Sequence, residues 1–338
     1  MSQRRILIVS DAWRPQVNGV VRTIAATVHE LQRMGHEVEV VGPESFRTFP
    51  CPTYPEIRLA WRPRAGLAAA IDAFRPDAIH IATEGPLGMA ARALCLKRNV
   101  GFTTAYHTQF PEYVHARMRV PLAWTYAILR RFHAPSTAVM VATPSLERQL
   151  AARGFTNLKR WTRGVDVELF RPRTNKALYT DPRPISLYAG RVAVEKNIEA
   201  FLSLDLPGTK VVIGRGPALE GLRQAYPKVR FLGFLDNGTL AAHFAAADVF
   251  VFPSRTDTFG LVLLEALASG VPVAAYPVTG PVDVIADTGV GVLDEDLGVA
   301  ARKALDIDPD LCRRHALAYS WEAAARQFLA NLAPVAEG

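Results

Sequence analysis

Short apolar runs of strand length alternate with stretches of helical periodicity along this chain, and the alternation begins twice. Residues 6–10 read as a strand. Residues 23–34 read as a helix, with Ile24, Val28 and Leu31 on one face, ended by Gly35 and followed by a strand at Glu37–Val41. Ala78–Ile81, residues 102–106 and residues 138–142 read as further strands. Strands that alternate with helices imply a parallel sheet covered on both faces. Next comes a stretch rich in proline and charge, from Arg171-Pro172-Arg173 to Asp181-Pro182-Arg183-Pro184, as a domain linker should be. The pattern then restarts with strands at 185–188, 210–213, 229–231, Val249–Phe252 and 271–275, and with helices that include 239–246 and Leu261–Ala268. The expected organisation is an α/β protein of two Rossmann-like, doubly wound domains, residues 1–170 and 171–320. A last helical pattern at 321–332, within the segment 321–338, is expected to cross back onto the first domain. Open α/β sheets bind ligands outside the carboxyl ends of their strands, so the active site is expected in a cleft between the domains.

At 338 residues the chain is too long for one compact core and long enough for two. Its 49% apolar and 21% charged residues are those of a soluble globular protein. No signal peptide and no apolar run of spanning length are read. Cys51, Cys95 and Cys312 are scattered, which fits a reducing cytoplasm and no structural zinc. The net charge of +7 is one-sided. Residues 1–170 hold 22 Lys and Arg against 13 Asp and Glu, and residues 171–338 hold 17 against 19. A one-sided positive field suits an anionic partner: nucleic acid, a phosphorylated substrate or an acidic membrane surface.

Four segments carry the chemistry. The first strand leads into a loop with Asn18-Gly19 before a helix, where backbone N–H groups and the helix dipole can face an anion. It is not G-x-G-x-x-G, which argues against a dehydrogenase. Gly190-Arg191 follows the strand at 185–188, and Lys196 comes shortly after. A guanidinium fork and an ammonium point charge there can converge on a pair of phosphates. Gly214 opens a further glycine-rich turn, Gly214-Arg215-Gly216-Pro217. The most specific segment runs from Phe252 to Ala266, with Asp257 and Glu265 separated by seven residues and Gly260 opening a helix. On a helix the two carboxylates lie about 12 Å apart, too far for an acid/base pair and suited to opposite ends of an elongated ligand. The N–H groups of Thr258, Phe259, Gly260 and Leu261 suit a diphosphate.

Taken together and in this order, Asn18-Gly19, Gly190-Arg191 with Lys196, and the carboxylate–seven–carboxylate segment resemble glycosyltransferase family 4, whose fold is GT-B. The resemblance covers nearly the whole chain. It implies that Gly19, Gly190, Gly214 and residues 258–261 surround the donor diphosphate and that Arg191 and Lys196 neutralise it. It further implies that Asp257 binds donor-sugar hydroxyls, Glu265 the ribose, and the backbone near Phe234 and Leu235 the base. The family usually has Glu where this chain has Asp257. His107, at the end of a first-domain strand, matches the family histidine beside the donor sugar. The segments Tyr106-His107-Thr108, Phe49-Pro50-Cys51-Pro52, Thr83-Glu84-Gly85-Pro86 and Trp161-Thr162-Arg163-Gly164 are similar to the lipid-glycosylating branch that includes sulfoquinovosyl diacylglycerol synthases. On that resemblance Glu84, Gly85, Tyr106 and Arg163 lie on the acceptor side.

A membrane-facing surface is expected independently. Residues 117–132 interleave Arg117, Arg119, Arg130 and Arg131 with Trp124 and aliphatic residues, a pattern able to lie at an anionic interface. Packing of Ile128, Leu129 and Phe132 into the first domain competes with that reading. The resemblance implies a retaining hexosyltransferase with catalytic residues His107, Arg191, Lys196 and Asp257. No metal or other cofactor is expected, because the two cations can stabilise the departing diphosphate. On the resemblance the donor is expected to be a nucleoside diphosphate sugar, with UDP-sugars favoured over GDP-mannose. The acceptor is expected to be a membrane lipid, met by a cytoplasmic protein bound to the inner face of the cell membrane. Rival readings are a transferase with a soluble or polysaccharide acceptor, a nucleotide-sugar epimerase, and a nucleic-acid-binding protein. The basic half shows no nucleic-acid-binding module, which argues against the last.

Overall fold

Strand β1 (Arg5–Val9) is apolar at four consecutive positions because both its faces are covered, and Ile6 to Val9 are at most 1% exposed. A computed structural model describes residues 3–16, 18–51, 54–112, 119–173 and 178–335. Contacts divide the chain into two units, Met1–Thr162 with Trp321–Gly338, and Arg163–Ser320.

In the first unit β1 lies inside a parallel sheet with β2 (Glu37–Val41), β5 (Ala78–Ile81), β6 (Thr103–Ala105), β7 (Ala138–Val141) and β8 (Leu158–Arg160), in the order β2-β1-β5-β6-β7-β8. Between β2 and β5 the chain makes an antiparallel hairpin, β3 (Thr48–Cys51) and β4 (Tyr54–Ala60), which the sequence reading did not assign. Pro50 interrupts the alternation there, as proline does on an edge strand. Polar residues inside the sheet pair with one another: His80 and Thr103, register partners on β5 and β6, meet at 2.9 Å from Nδ1 to Oγ1. The helix Trp321–Asn331 belongs to this unit. Its Phe328 packs on Trp161 and His80, both at 4.8 Å between ring centroids. Its Asn331 donates to the Arg160 carbonyl at 2.8 Å.

The second sheet repeats the plan with β9 (Ile185–Ala189), β10 (Thr209–Ile213), β11 (Arg230–Gly233), β12 (Val249–Phe252), β13 (Val273–Ala275) and β14 (Gly291–Leu293), all parallel, in the order β11-β10-β9-β12-β13-β14. The division between units falls before Arg163 rather than at the proline-rich stretch. Arg313 explains this: its guanidinium donates to the carbonyls of Val167, Phe170 and Ala268 at 2.8–2.9 Å, fixing residues 167–170 to the second unit. Arg183, within the expected linker, likewise bonds Asp248 at 2.5 Å.

In each sheet the chain starts at an inner strand, runs to one edge and resumes on the other side. Reversals of this kind, between β1 and β5 and between β9 and β12, are where ligands bind in open α/β sheets.

Candidate active site

At the second reversal, the loops that leave β9 and β12 are tied together. Lys196 Nζ lies 2.5 Å from Asp257 Oδ1. Asn197 donates to the Pro253 carbonyl at 3.1 Å, and Thr256 donates to the Glu195 carbonyl at 3.2 Å. Lys196 and Asp257 each keep 18% of their side chain exposed, so the pair is reachable from solvent and only partly screened by it. Arg191 follows β9 directly, half-buried, with its carbonyl bound by the Tyr188 hydroxyl at 2.8 Å. Asp257 lies outside the helix that Gly260 opens, so the two carboxylates do not share one helix. It sits four residues ahead of Leu261–Ala268, and the cap is Gly260 in the left-handed region, with no side-chain cap bond. Within that helix Glu265 is 6% exposed amid leucine and alanine.

The next loops along the sheet are zipped to the same place. Val192 donates to the Arg215 carbonyl at 2.8 Å, and Gly214 donates to the Gly233 carbonyl at 2.7 Å. Gly214 has a packing reason for being glycine: a Cβ there would fall 1.8 Å from the Gly190 oxygen, at a φ of +143°. Arg215 lies over the ring of Phe234 at 4.3 Å, and Phe234 is 44% exposed. From β11 to β12, four neighbouring loops thus carry an exposed aromatic, two arginines, a lysine and a carboxylate in sequence. On the far side Arg255 stacks on Tyr276 at 3.6 Å and bonds Glu295 at 3.2 Å, bracing the loop that bears Asp257. The acidic run Asp294-Glu295-Asp296 has local work, since Asp296 caps the helix Leu297–Ala304 by accepting from Gly298 and Val299.

The first reversal is built differently. Asp11, just past β1, is buried and accepts from the Thr83 hydroxyl at 2.9 Å and from the N–H groups of Leu87 at 2.9 Å and Gly88 at 3.2 Å. It therefore caps the helix Pro86–Lys97 from another strand. Burial pushes its carboxyl above the usual range, against the pull of those bonds. Gly85 packs against it; a Cβ there would fall 2.4 Å from Asp11 Cγ. Glu84 contacts His133 Nε2 at 3.2 Å. Asn18 caps the helix Gly19–Arg33, which starts four residues earlier than expected, by accepting from Val20 and Val21. Gly19 is exposed at its start.

The other sequence candidates fall in several places. His107 is half-buried and turns an edge to Trp161, 5.4 Å between centroids. Tyr106 is fully buried against Phe155, so its ring is core rather than acceptor surface. Arg163 is 3% exposed and belongs to the second unit. Burial pulls its guanidinium down to about 9, still above neutrality, so it is a buried cation. The helix Leu122–His133 buries Leu129 and Phe132 and leaves Trp124 69% and Ile128 66% exposed, so its apolar residues divide between core and solvent. Arg119, Arg130 and Arg131 are exposed, Arg130 donating to the Arg153 carbonyl at 3.0 Å. Arg117 lies outside the described residues. No helix among the described residues is long and apolar enough to cross a membrane. Asp11, His133, Asn197 and Arg215 were not singled out from sequence. Only Asp11 had a usable signal, as a carboxylate directly after the first strand. A cavity of about 510 Å³, lined in part by Asp72, Arg75, Asp77 and Arg98, opens at the amino ends of the first sheet, away from its reversal.

Two Rossmann-like sheets, the second with a lysine–aspartate pair at the carboxyl ends of its strands, have the GT-B architecture, and the comparisons name the family. Residues 17–169 match the family model described as Glycosyltransferase Family 4, and residues 183–307 that of Glycosyl transferases group 1. A GDP-mannose-dependent alpha-mannosyltransferase of Mycolicibacterium smegmatis is 30% identical, over 86% of this chain and 84% of its own length. A sulfoquinovosyl transferase of Arabidopsis thaliana is 32% identical over 85% of this chain, which spans 62% of that longer protein. An alpha-monoglucosyldiacylglycerol synthase of Streptococcus pneumoniae is 27% identical, over 91% of this chain and 79% of its own length. The fold matches a sucrose-phosphate synthase of Thermosynechococcus elongatus with a TM-score of 0.79 at 23% identity, over 97% of this chain and 98% of that one. The chain belongs to glycosyltransferase family 4 and is a glycosyltransferase.

Proposed function

We propose that this enzyme is a retaining, metal-independent hexosyltransferase that moves glucose, glucuronic acid or mannose from a nucleoside diphosphate to a membrane lipid such as diacylglycerol. The observation that carries the donor half is the Lys196–Asp257 contact of 2.5 Å beside Arg191. One group suits a diphosphate and the other a sugar hydroxyl, and they sit side by side as those two parts of a nucleotide sugar do. In this reading Arg191, Lys196 and the N–H groups ahead of Leu261 stabilise charge on the leaving diphosphate. Glu265 holds the ribose, and the base lies by Phe234 and Leu235. The bond from the sugar's anomeric carbon to the diphosphate oxygen breaks. The acceptor oxygen bonds that carbon from the same face, and its proton passes to a phosphate oxygen.

The lipid half is supported by the exposed Trp124 and Ile128 with Arg119, Arg130 and Arg131 on and beside one helix. It is also supported by relatives named for transfer to diacylglycerol. Purified protein incubated with each nucleotide sugar, with and without diacylglycerol in anionic vesicles, tests both halves. The expected result is nucleoside diphosphate release that depends on the lipid, with one donor favoured. Release without lipid dependence would favour a second reading, transfer to a soluble acceptor; the GDP-mannose-dependent relatives support mannose as the sugar moved.

A further inference from the structure

A circuit of contacts closes on the loop that carries Asp257, and it leads to the place where the chain passes between its two units. Phe259, 4% exposed, turns an edge to the Tyr319 ring at 6.5 Å between centroids. The same ring meets His315 at 5.4 Å. His315 Nε2 lies 2.9 Å from the Val284 carbonyl, which only accepts, so Nε2 carries a proton and donates. Burial pulls the imidazole below its usual range, so near neutral pH it is an uncharged ring held in one tautomer. Val284 belongs to the helix Pro281–Ile285, whose cap is Gly280 at a φ of +93°. A Cβ at Gly280 would fall 2.9 Å from the Phe259 oxygen and 3.2 Å from the Asp257 oxygen, so its backbone lies directly against the loop. The circuit thus returns to the residues it started from.

Tyr319 also stands at the connections. The chain passes from one unit to the other at 162–163 and again at 320–321. Beside both, the Val165 N–H donates to the Tyr319 carbonyl at 3.3 Å, which bonds the two connecting segments to each other within the second unit. We propose that Tyr319 is a positioning residue for donor binding: its ring, set by His315 and anchored at the paired connections, holds Phe259 and with it the loop that carries Asp257. The proposal rests on the donor reading above and adds to it a residue outside the motifs that led there. The ties from Asn197, Thr256 and Lys196 reach residues 253–257, the first part of the loop. Phe259 secures the second part, where the chain turns into the helix at Gly260. Tyr319 makes these contacts with its ring and its carbonyl, so phenylalanine can replace it and alanine cannot.

Amide hydrogen exchange of the intact protein without ligand tests the coupling. Peptides spanning 256–263 are expected to exchange roughly tenfold faster in Tyr319→Ala than in wild type, and at the wild-type rate in Tyr319→Phe. Peptides of β1 and β9 should exchange alike in all three, which separates loss of the loop's position from loss of the fold. UDP or GDP, whichever the wild type binds, is expected to bind Tyr319→Ala roughly tenfold more weakly, the upper end of what an aromatic pair contributes, and Tyr319→Phe as it binds wild type. Loop exchange that is unchanged in Tyr319→Ala, or as fast in Tyr319→Phe as in Tyr319→Ala, would overturn the proposal. So would a loosened loop with wild-type nucleotide affinity. Should β9 loosen as well in Tyr319→Ala, the comparison passes to Phe259→Leu, which keeps an apolar side chain and removes the ring pair. It is expected to give the same changes in the loop and in affinity, and wild-type behaviour there would overturn the proposal. If the wild type bound neither nucleotide, the donor reading would fail, while the exchange rates would still decide whether Tyr319 holds the loop.

Discussion

The two sheets are built to one plan, yet the reversals that would each hold a ligand are finished in opposite ways. In the first unit the chain supplies its own anion: Asp11 reaches from β1 to the start of the helix after β5 and takes the N–H groups of Leu87 and Gly88. In the second, the helix after β12 starts at Gly260 without a side-chain cap, and Lys196 pairs with Asp257 in the loop just ahead of it. A helix start that is already capped has little attraction left for a diphosphate, and one flanked by cations keeps it. Two copies of a fold thus differ in function through which one closes its anion site from within.

Substitutions can break this contrast. The largest effect is expected from Lys196→Ala, which should lower kcat/KM for the donor by roughly 10²–10³ in steady-state assays. Its thermal midpoint should stay within a few degrees of the wild type. Gly214→Ala should lose both properties, because the added carbon meets the Gly190 oxygen. A cost of about 1–3 kcal/mol in urea unfolding, with weaker nucleotide binding, is expected. Asp11→Ala should show the converse of Lys196→Ala. It strands two buried N–H groups and should cost about 1–3 kcal/mol, with donor KM unchanged.

The pH dependence of Asp11 sharpens the point. Burial is the leading cause and raises its carboxyl above 3.8, so the folded state binds that proton more tightly than the unfolded chain. Its contribution to stability is complete below about pH 3.8 and is lost as pH rises through the folded value. Urea midpoints of wild type relative to Asp11→Asn should therefore rise as pH falls from neutral. The smallest effect on stability belongs to Trp124→Ser, within about 0.5 kcal/mol of wild type, while sedimentation with anionic vesicles in low salt should fall.

Much of this was legible in the sequence. The two alternating halves, the strand at Val249–Phe252 and the helix at Leu261–Ala268 follow from periodicity alone. The segment from Phe252 to Ala266 and the pair Arg191 and Lys196 were singled out as a candidate site from the sequence, and Lys196 and Asp257 of these meet in the structure. What was not legible depends on distant partners. Asp11 meets Thr83 across 72 residues and Glu84 meets His133 across 49, and no local pattern marks either pair. The helix at Gly19 was read as starting at Thr23 because its first turn, Gly19-Val20-Val21-Arg22, carries little periodicity and is set by the Asn18 cap. The β3–β4 hairpin was missed because Pro50 hides its alternation. The buried state of Tyr106 and Arg163 follows from packing that residue type does not predict, since both kinds are common at surfaces.

The most direct test of the central claim is a calorimetric titration of UDP and GDP into wild type, Lys196→Ala and Asp11→Asn. The account predicts that the wild type binds one of the two, that Lys196→Ala weakens this at least tenfold, consistent with loss of a charge-assisted contact, and that Asp11→Asn leaves it unchanged. Binding that survived Lys196→Ala and vanished in Asp11→Asn would contradict the assignment of the donor to the second sheet.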